Sequence, residues 1–394
     1  MDAKQTLGEP RLLISRDALK TNLRTLRRHL APDVKLCPVL KADAYGHGAA
    51  LVASLIAEIE AEDPFLQIHQ FAVATFDEAA VLADSGKPLM LLRPTENIFL
   101  GRQRELLETA ILGGWTLTLC SAAAADDIAR VAVHLQRRAN VQIMLDTGMT
   151  RCGVPADNFD DLLERILHHA SLRLTGISTH FVNSEMAGDP LNTRQLRQFQ
   201  AMLDKYPILE GVPRHAANSG AIFFMPRAHL DVVRPGISLY GIDPTGRPSV
   251  DRPLMPVMRW TAPVMAIHDI DVGQGVGYGQ TWRASAPSRI AIVPVGYADG
   301  YPRAASNRGV MMIKDHYCGV AGRVSMDTTA IDITRAGDVA VGDEVTVIDD
   351  NPLSPASIYA LSTTCGTIPY EILTRIGSRV RRASGSLHPE MAES

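Results

Sequence analysis

Val34-Lys35-Leu36-Cys37-Pro38-Val39-Leu40-Lys41-Ala42-Asp43-Ala44-Tyr45-Gly46-His47-Gly48 sets an apolar run directly against a lysine and a small, Gly-rich turn. The run Val34–Leu40 reads as a strand. The segment after the turn reads as a helix with Leu51, Leu55, Ile56 and Ile59 on one side. Upstream, Asp17 is placed to cap a helix carrying Leu19, Leu23, Leu26 and Leu30 on one face. Downstream the strand–helix unit repeats. Strands are expected at Phe71–Ala74, Leu89–Leu92, Trp115–Leu119, Val141–Leu145, Leu172–Ser178 and Val232–Val233. Helices are expected at Phe76–Ala83, Ile98–Leu112, Ala122–Arg138, Asp157–His169 and Thr193–Lys205. Repeated units of this kind build a parallel sheet, and about eight of them close a barrel. The count is near eight, so an α/β fold with a (β/α)8 TIM-like barrel is expected over residues 1–250.

The pattern changes after Arg247. Pro248, Pro253, Pro256 and Pro263 punctuate the chain, and short strand-like runs follow at Val264–Ile270, Ile290–Val295, Val310–Ile313, Thr329–Ile333 and Glu344–Ile348. Long helical periodicity is mostly absent until Pro355–Thr364. Residues 251–394 are therefore expected to form a mainly-β domain.

Lys41 occupies the position where a parallel barrel keeps its chemistry, the C-terminal end of a strand. An amine there has its stem in the packed interior, and partial desolvation would make it a nucleophile. On position alone, a strand-end lysine reaching solvent is the commoner reading. Composition narrows the rest. The 394 residues carry a net charge of -4, which gives no general basic field for nucleic acid. The basic run Arg379–Arg382 reads as a solvated tail. The five cysteines are odd in number and none form a C-x-x-C pair, which fits a reducing compartment and neither a disulfide framework nor a metal site. No secretory leader or membrane-length apolar run is visible. A cytoplasmic protein without nucleic-acid, membrane or metal partners is expected.

Val39–Gly48 resembles the pyridoxal-phosphate signature of the alanine racemase family. The resemblance extends in order through Leu145-Asp146-Thr147-Gly148-Met149-Thr150-Arg151, Thr179-His180-Phe181, His215-Ala216-Ala217-Asn218-Ser219 and Arg234-Pro235-Gly236-Ile237. It continues through Gly277-Tyr278-Gly279, Val295–Gly300, Gly322–Asp327 and Tyr370-Glu371. It implies a barrel that binds pyridoxal 5'-phosphate, followed by a β domain that completes the active site of the other subunit in a head-to-tail homodimer. It also implies an amino-acid substrate, alanine first, and D-alanine supplied to peptidoglycan.

The resemblance assigns roles residue by residue. Lys41 holds the cofactor and is the base on one face of the substrate. Tyr278 of the second subunit is the base on the other. His180 and Arg234 form a hydrogen-bond chain, with Arg234 facing the pyridine nitrogen. Since a guanidinium only donates, that nitrogen stays unprotonated. Tyr45, Asn218, Ser219, Gly236, Ile237 and Tyr370 are implied cofactor contacts. Arg151 is implied to lie near the cofactor's phenolic oxygen and, with the Met326 N–H, to meet the substrate carboxylate. Tyr297, Arg303, Arg323 and Glu185 fall at entrance positions.

The chain departs from the family at Met144, where many members carry a lysine that can be carbamylated to orient the arginine. Methionine cannot supply that anion, so what holds Arg151 is open. Three other functions fit parts of the pattern. A non-catalytic pyridoxal-phosphate carrier matches the barrel alone, and Tyr278 with Met326 opposes it. A decarboxylase of the same fold needs an acid where Arg234 stands. A broader-specificity racemase, acting on serine or basic amino acids, stays open.

Overall fold

The computed structural model describes residues 9–96 and 102–387. They fall into two compact units. One comprises Leu23–Ala44 and Val52–Leu239. The other comprises the segment ending at Asn22, Tyr45–Leu51, and the segment from Tyr240 onward.

The first unit is the barrel. The chain's first strand, β1 (Arg11–Ile14), belongs elsewhere. The barrel begins with β2 (Lys35–Leu36) and runs through β3 (Phe71–Val73), β4 (Leu89–Pro94), β5 (Thr116–Leu119), β6 (Ala139–Met144), β7 (Leu172–Ser178), β8 (Arg214–His215) and β9 (Val232–Val233). Strands β3 to β8 form one parallel sheet in sequence order. The ring then closes. β2 pairs in parallel with β9, and parallel bridges Leu36–Ile68 and Val39–Ala72 tie β2 to β3. Backbone bonds from Asp231 N–H to the Arg214 carbonyl and from Arg234 N–H to the Ala217 carbonyl join the β8 and β9 segments. Eight parallel strands result, as the alternating pattern predicts. Their near-continuous apolar character follows from burial on both faces, with Phe71, Val73, Leu117, Val141, Ile143 and Ile177 among the fully enclosed side chains.

The helices sit close to their expected places: Ala49–Glu62, Phe76–Val81, Ala122–His134, Phe159–His168 and Pro190–Leu203. The expected helix at Ile98–Leu112 is present from Arg102, and its first residues lie outside the described ones. Asp17 does not cap the first helix, Arg16–Arg28. Ser15 does, its hydroxyl accepting from Ala18 N–H at 3.1 Å, so Asp17 lies inside the first turn.

The second unit is mainly β. A six-stranded sheet runs in the order β16 (His316–Gly319), β15 (Val310–Ile313), β18 (Glu344–Ile348), β10 (Met258–Pro263), β1 and β19 (Arg381–Ser384). A three-stranded antiparallel sheet joins Ala266–Ile270, Ser288–Val293 and Thr329–Asp332. Trp260 and Tyr301 are fully buried in this unit and meet edge to face. The basic run is not a solvated tail. β19 pairs in parallel with β1, and the Arg382 guanidinium donates to the carbonyls of Gly46, Ile376, Gly377 and Val380. Arg379 pairs with Asp299 and Asp327. A planar five-donor fork suits this collection of carbonyls, and that use cannot be read from charge density. Among the described residues no helix is long and apolar enough to cross a membrane.

Candidate active site

Four basic residues of the barrel unit stand at the C-terminal ends of its strands, which is where this fold carries function. Lys41 follows the β2 segment, Arg151 lies in the loop after β6, His180 stands two residues beyond β7, and Arg234 directly follows β9. They sense one another. Burial lowers the Lys41 amine pKa, Arg151 lowers it further, Glu78 opposes the shift, and Arg234 adds to it. His180 is pushed down to about 3 by burial, then by Arg234, Arg151 and Lys41. The imidazole is therefore neutral at any ordinary pH.

Behind Lys41 the chain makes an uncommon turn. Ala42, Asp43, Ala44 and Tyr45 all have φ between 52° and 55°. For L-residues that left-handed conformation costs about 1–2 kcal/mol each. Several contacts hold it in place. The Ala44 N–H bonds the Leu40 carbonyl at 2.9 Å, and the Ala42 N–H bonds Glu78 Oε1 at 2.9 Å. Glu78 itself completes a capping box with Thr75 at the start of helix Phe76–Val81. Backbone strain of this kind, here next to a half-buried amine, clusters at active sites.

Arg234 is 6% exposed, and burial lowers its pKa to about 10, so it stays a cation. Its guanidinium donates to His215 Nδ1, to the Thr179 carbonyl at 2.9 Å and to the Ala216 carbonyl at 3.3 Å. Among the described residues no carboxylate faces it. Ser219 lies at the first position of the short helix Ser219–Phe224, and Asn218 caps that helix by accepting from Ala221 N–H at 3.2 Å. The backbone N–H groups of Gly236 and Ser238 converge on one point, the Ser219 Oγ, at 2.9 and 3.2 Å. Ile237 opens the 3-10 turn Ile237–Tyr240 beside them. Gly220 is required here, because a Cβ would lie 2.6 Å from the Ser184 carbonyl.

Met144 is buried at the end of β6 and supplies no anion. The loop carrying Arg151 is instead tied back on itself. Asp146 N–H bonds the Val154 carbonyl at 3.0 Å, Val154 N–H bonds the Met144 carbonyl at 2.7 Å, and Asp146 Oδ1 accepts from Gly148 and Thr150 N–H. These bonds fix the backbone of the loop around Arg151. The Arg151 side chain is exposed and has no ion pair among the described residues.

In the β unit, Tyr45 is buried with its ring 5.0 Å from Tyr240 and 6.1 Å from Tyr370. Burial, then Tyr370, pushes its hydroxyl pKa up, so it stays a neutral donor. Gly46 cannot be replaced, since a Cβ would come 2.1 Å from the Leu373 carbonyl oxygen. Tyr278 opens a 3-10 turn between the paired strands Gly275–Val276 and Trp282–Arg283 and is 71% exposed. Met326 is 52% exposed.

Residues 14–244 match the family described as alanine racemase, N-terminal domain, and residues 257–384 match alanine racemase, C-terminal domain. The chain belongs to the alanine racemase family. It is accordingly an enzyme, an isomerase. Among its relatives, the alanine racemase of Sorangium cellulosum is 36% identical over 373 residues, covering 92% of this chain and 96% of that one. The alanine racemase of Chlorobaculum tepidum is 36% identical over 94% of each. The solved alanine racemase of Streptomyces coelicolor superposes with a TM-score of 0.86 at 32% identity, covering 97% of this chain and 99% of that one. That of Bartonella henselae, with covalently bound pyridoxal phosphate, superposes with a TM-score of 0.82 at 31% identity, covering 96% and 99%.

The alanine racemase family uses pyridoxal phosphate, and the donors found here suit an anionic, phosphate-bearing group. They are a half-buried amine, two guanidinium ions and a serine hydroxyl that gathers two N–H groups beside a helix start. Sequence reasoning missed three contributors. Glu78 pins the turn behind Lys41, and its signal was the Thr75-x-x-Glu78 capping box. Gln195 donates to the His180 carbonyl and Thr147 Oγ1 and accepts from Val182 N–H. It stands on the buried stripe Asn192, Gln195, Leu196, Phe199 and Leu203, where a polar residue at a core position was the clue. His215, bonded to Arg234, was quoted only as part of a motif.

Proposed function

We propose that this enzyme interconverts L- and D-alanine with pyridoxal 5'-phosphate held on Lys41, by two bases on opposite faces of the substrate. The observation that carries the reading is the partly desolvated Lys41 amine in a barrel mouth shared with Arg151, Arg234 and neutral His180.

Residues 1–250 would bind the cofactor, and residues 251–394 would complete the site of a second subunit in a head-to-tail homodimer. The phosphate would be held by Tyr45, Ser219, Gly236, Ile237 and Tyr370, with Asn218 fixing the helix start. When bound, the cofactor supplies the electron sink that no side chain offers. Arg234, a donor with no acid beside it, would leave a facing ring nitrogen unprotonated. This opposes decarboxylase-like chemistry. Arg151 and the Met326 N–H of the second subunit would orient the substrate carboxylate. Lys41 Nζ takes the Cα proton on one face, and Tyr278 Oη of the second subunit delivers one on the other. In the reverse direction the roles exchange. The exposure of Tyr278 and Met326 in a single chain supports their service to another subunit. The product would serve peptidoglycan synthesis in the cytoplasm.

Circular dichroism during incubation with each alanine enantiomer tests the reading, with serine, lysine and arginine as competitors for the assignment. Alanine is expected to racemise in both directions and fastest. Tyr278→Phe is expected to remove exchange on one face while leaving cofactor binding intact. Faster turnover of serine or a basic amino acid would replace alanine as substrate, and equal loss of binding and exchange would make Tyr278 structural.

A further inference from the structure

The barrel interior holds a line of polar side chains that the racemase chemistry does not use. Its hydrogen bonds run in one direction only. The Leu91 carbonyl can only accept, so the Thr118 hydroxyl donates to it. Having spent its proton, Thr118 Oγ1 can only accept, and it takes Gln142 Nε2–H at 2.6 Å. This fixes the amide orientation and turns Gln142 Oε1 away from Thr118. At the other end, the Arg234 guanidinium can only donate, so His215 Nδ1 must be its unprotonated acceptor. The neutral imidazole then carries its proton on Nε2.

The two series of hydrogen bonds meet between Gln142 and His215. Gln142 Oε1, an acceptor, and His215 Nε2–H, a donor, are both buried and have no partner among the described residues. Both border the same point. Gly176 pairs directly with Gln142 across β6 and β7, and a Cβ on it would lie 3.3 Å from His215 Nε2 and 3.6 Å from Gln142 Oε1. A buried donor or acceptor left without a partner is unfavourable. Gly176 thus keeps open a small polar space between complementary groups, which suits one water molecule.

We propose that a single buried water binds between Gln142 Oε1 and His215 Nε2, completing a one-way line of donation from Arg234 to the Leu91 carbonyl and making Gln142 a positioning residue for that guanidinium. The water accepts from His215 and donates to Gln142. It holds His215 in the tautomer that presents a lone pair to Arg234. The water and tautomer stand on the geometry alone, whereas the consequence for catalysis rests on the role proposed for Arg234.

The test uses holoenzyme labelled with 15N-histidine, with the His215 signals assigned by their loss in His215→Asn. Wild type at neutral pH is expected to show His215 as the neutral Nε2–H tautomer, with a cross-peak from that proton to a slowly exchanging water. Gln142→Leu removes the acceptor, and Gly176→Ala sets a methyl against both polar atoms and fills the space while leaving both polar side chains in place. Each is expected to abolish the water cross-peak and to lower kcat/KM for alanine about tenfold, the loss of roughly one hydrogen bond. Gly176→Ala keeps the test decisive if Gln142→Leu does not fold. An Nδ1–H tautomer, an imidazolium, or no bound water in wild type overturns the proposal. Active variants with unchanged kcat/KM refute the positioning role. An inactive wild type with the expected spectra refutes the proposed function and leaves the water standing.

Discussion

Glu78 offers a sharp test of how the strained turn behind Lys41 is held. Its two oxygens have separate duties. Oε1 accepts from Ala42 N–H at 2.9 Å, and Oε2 accepts from Ala74 N–H at 2.7 Å and Thr75 N–H at 3.3 Å. Glu78→Gln keeps only one acceptor oxygen. It can satisfy the Ala74–Thr75 pair, but its NH2 then faces the Ala42 N–H. A hydrogen bond to a charged group is worth about 1.5–3 kcal/mol. The half-exposed setting places this one near the lower end, so Glu78→Gln is expected to cost about 1.5–2 kcal/mol. Glu78→Ala forfeits all three bonds, the one from Thr75 N–H being the glutamate half of the capping box, for a loss of about 3–4 kcal/mol. Urea unfolding of the variants measures both, and amide exchange at Ala42 localises the effect. The Ala42 amide should exchange faster in Glu78→Gln, while those of Ala74 and Thr75 stay protected. Glu78→Gln within about 0.5 kcal/mol of wild type, or with Ala42 still protected, would refute the reasoning.

The turn itself makes an opposite prediction. Ala42 is exposed at φ 52°, so Ala42→Gly relieves about 1–2 kcal/mol of strain against about 0.5–1 kcal/mol of lost chain entropy, and a net gain below about 1.5 kcal/mol is expected in urea midpoints. Ala42→Val should destabilise, and the reverse order would show that the turn is not left-handed. Acid should weaken the fold through His180, held near 3, and His215, held well below its usual value by burial and Arg234. The unfolded chain binds protons that the folded one refuses. Stability is therefore flat above about pH 6.5 and falls below it, approaching about 2.7 kcal/mol per pH unit for the two groups together. Denaturant titrations between pH 7.5 and 4.5 check this, and a His180→Asn, His215→Asn double variant that keeps the same slope would contradict it.

The barrel was legible because its strands are continuous apolar runs spaced by amphipathic helices, and burial on both faces writes that pattern into the chain. Arg214–His215 escaped notice as a strand because two polar residues carry no period. Met258–Pro263 was hidden among prolines, although Pro263 sits at the end of its strand, where a missing N–H costs little. Arg11–Ile14 and Arg381–Ser384 were unreadable for another reason. They pair with each other from opposite ends of the chain, and no local window contains that partnership. At the site, Lys41, Arg151, His180 and Arg234 stood out by chemical type and motif. Glu78, Gln195 and His215 act on backbone groups or through another side chain, so only the folded arrangement reveals what they touch.

The central claim is that Lys41 carries the cofactor. Borohydride reduction of the protein loaded with pyridoxal phosphate, followed by peptide mass mapping, tests it most directly. The account predicts a single added pyridoxyl-phosphate mass on the peptide containing Lys41, and none in Lys41→Ala. The same mass on Lys35, Lys87 or another lysine, with Lys41 unmodified, would contradict it.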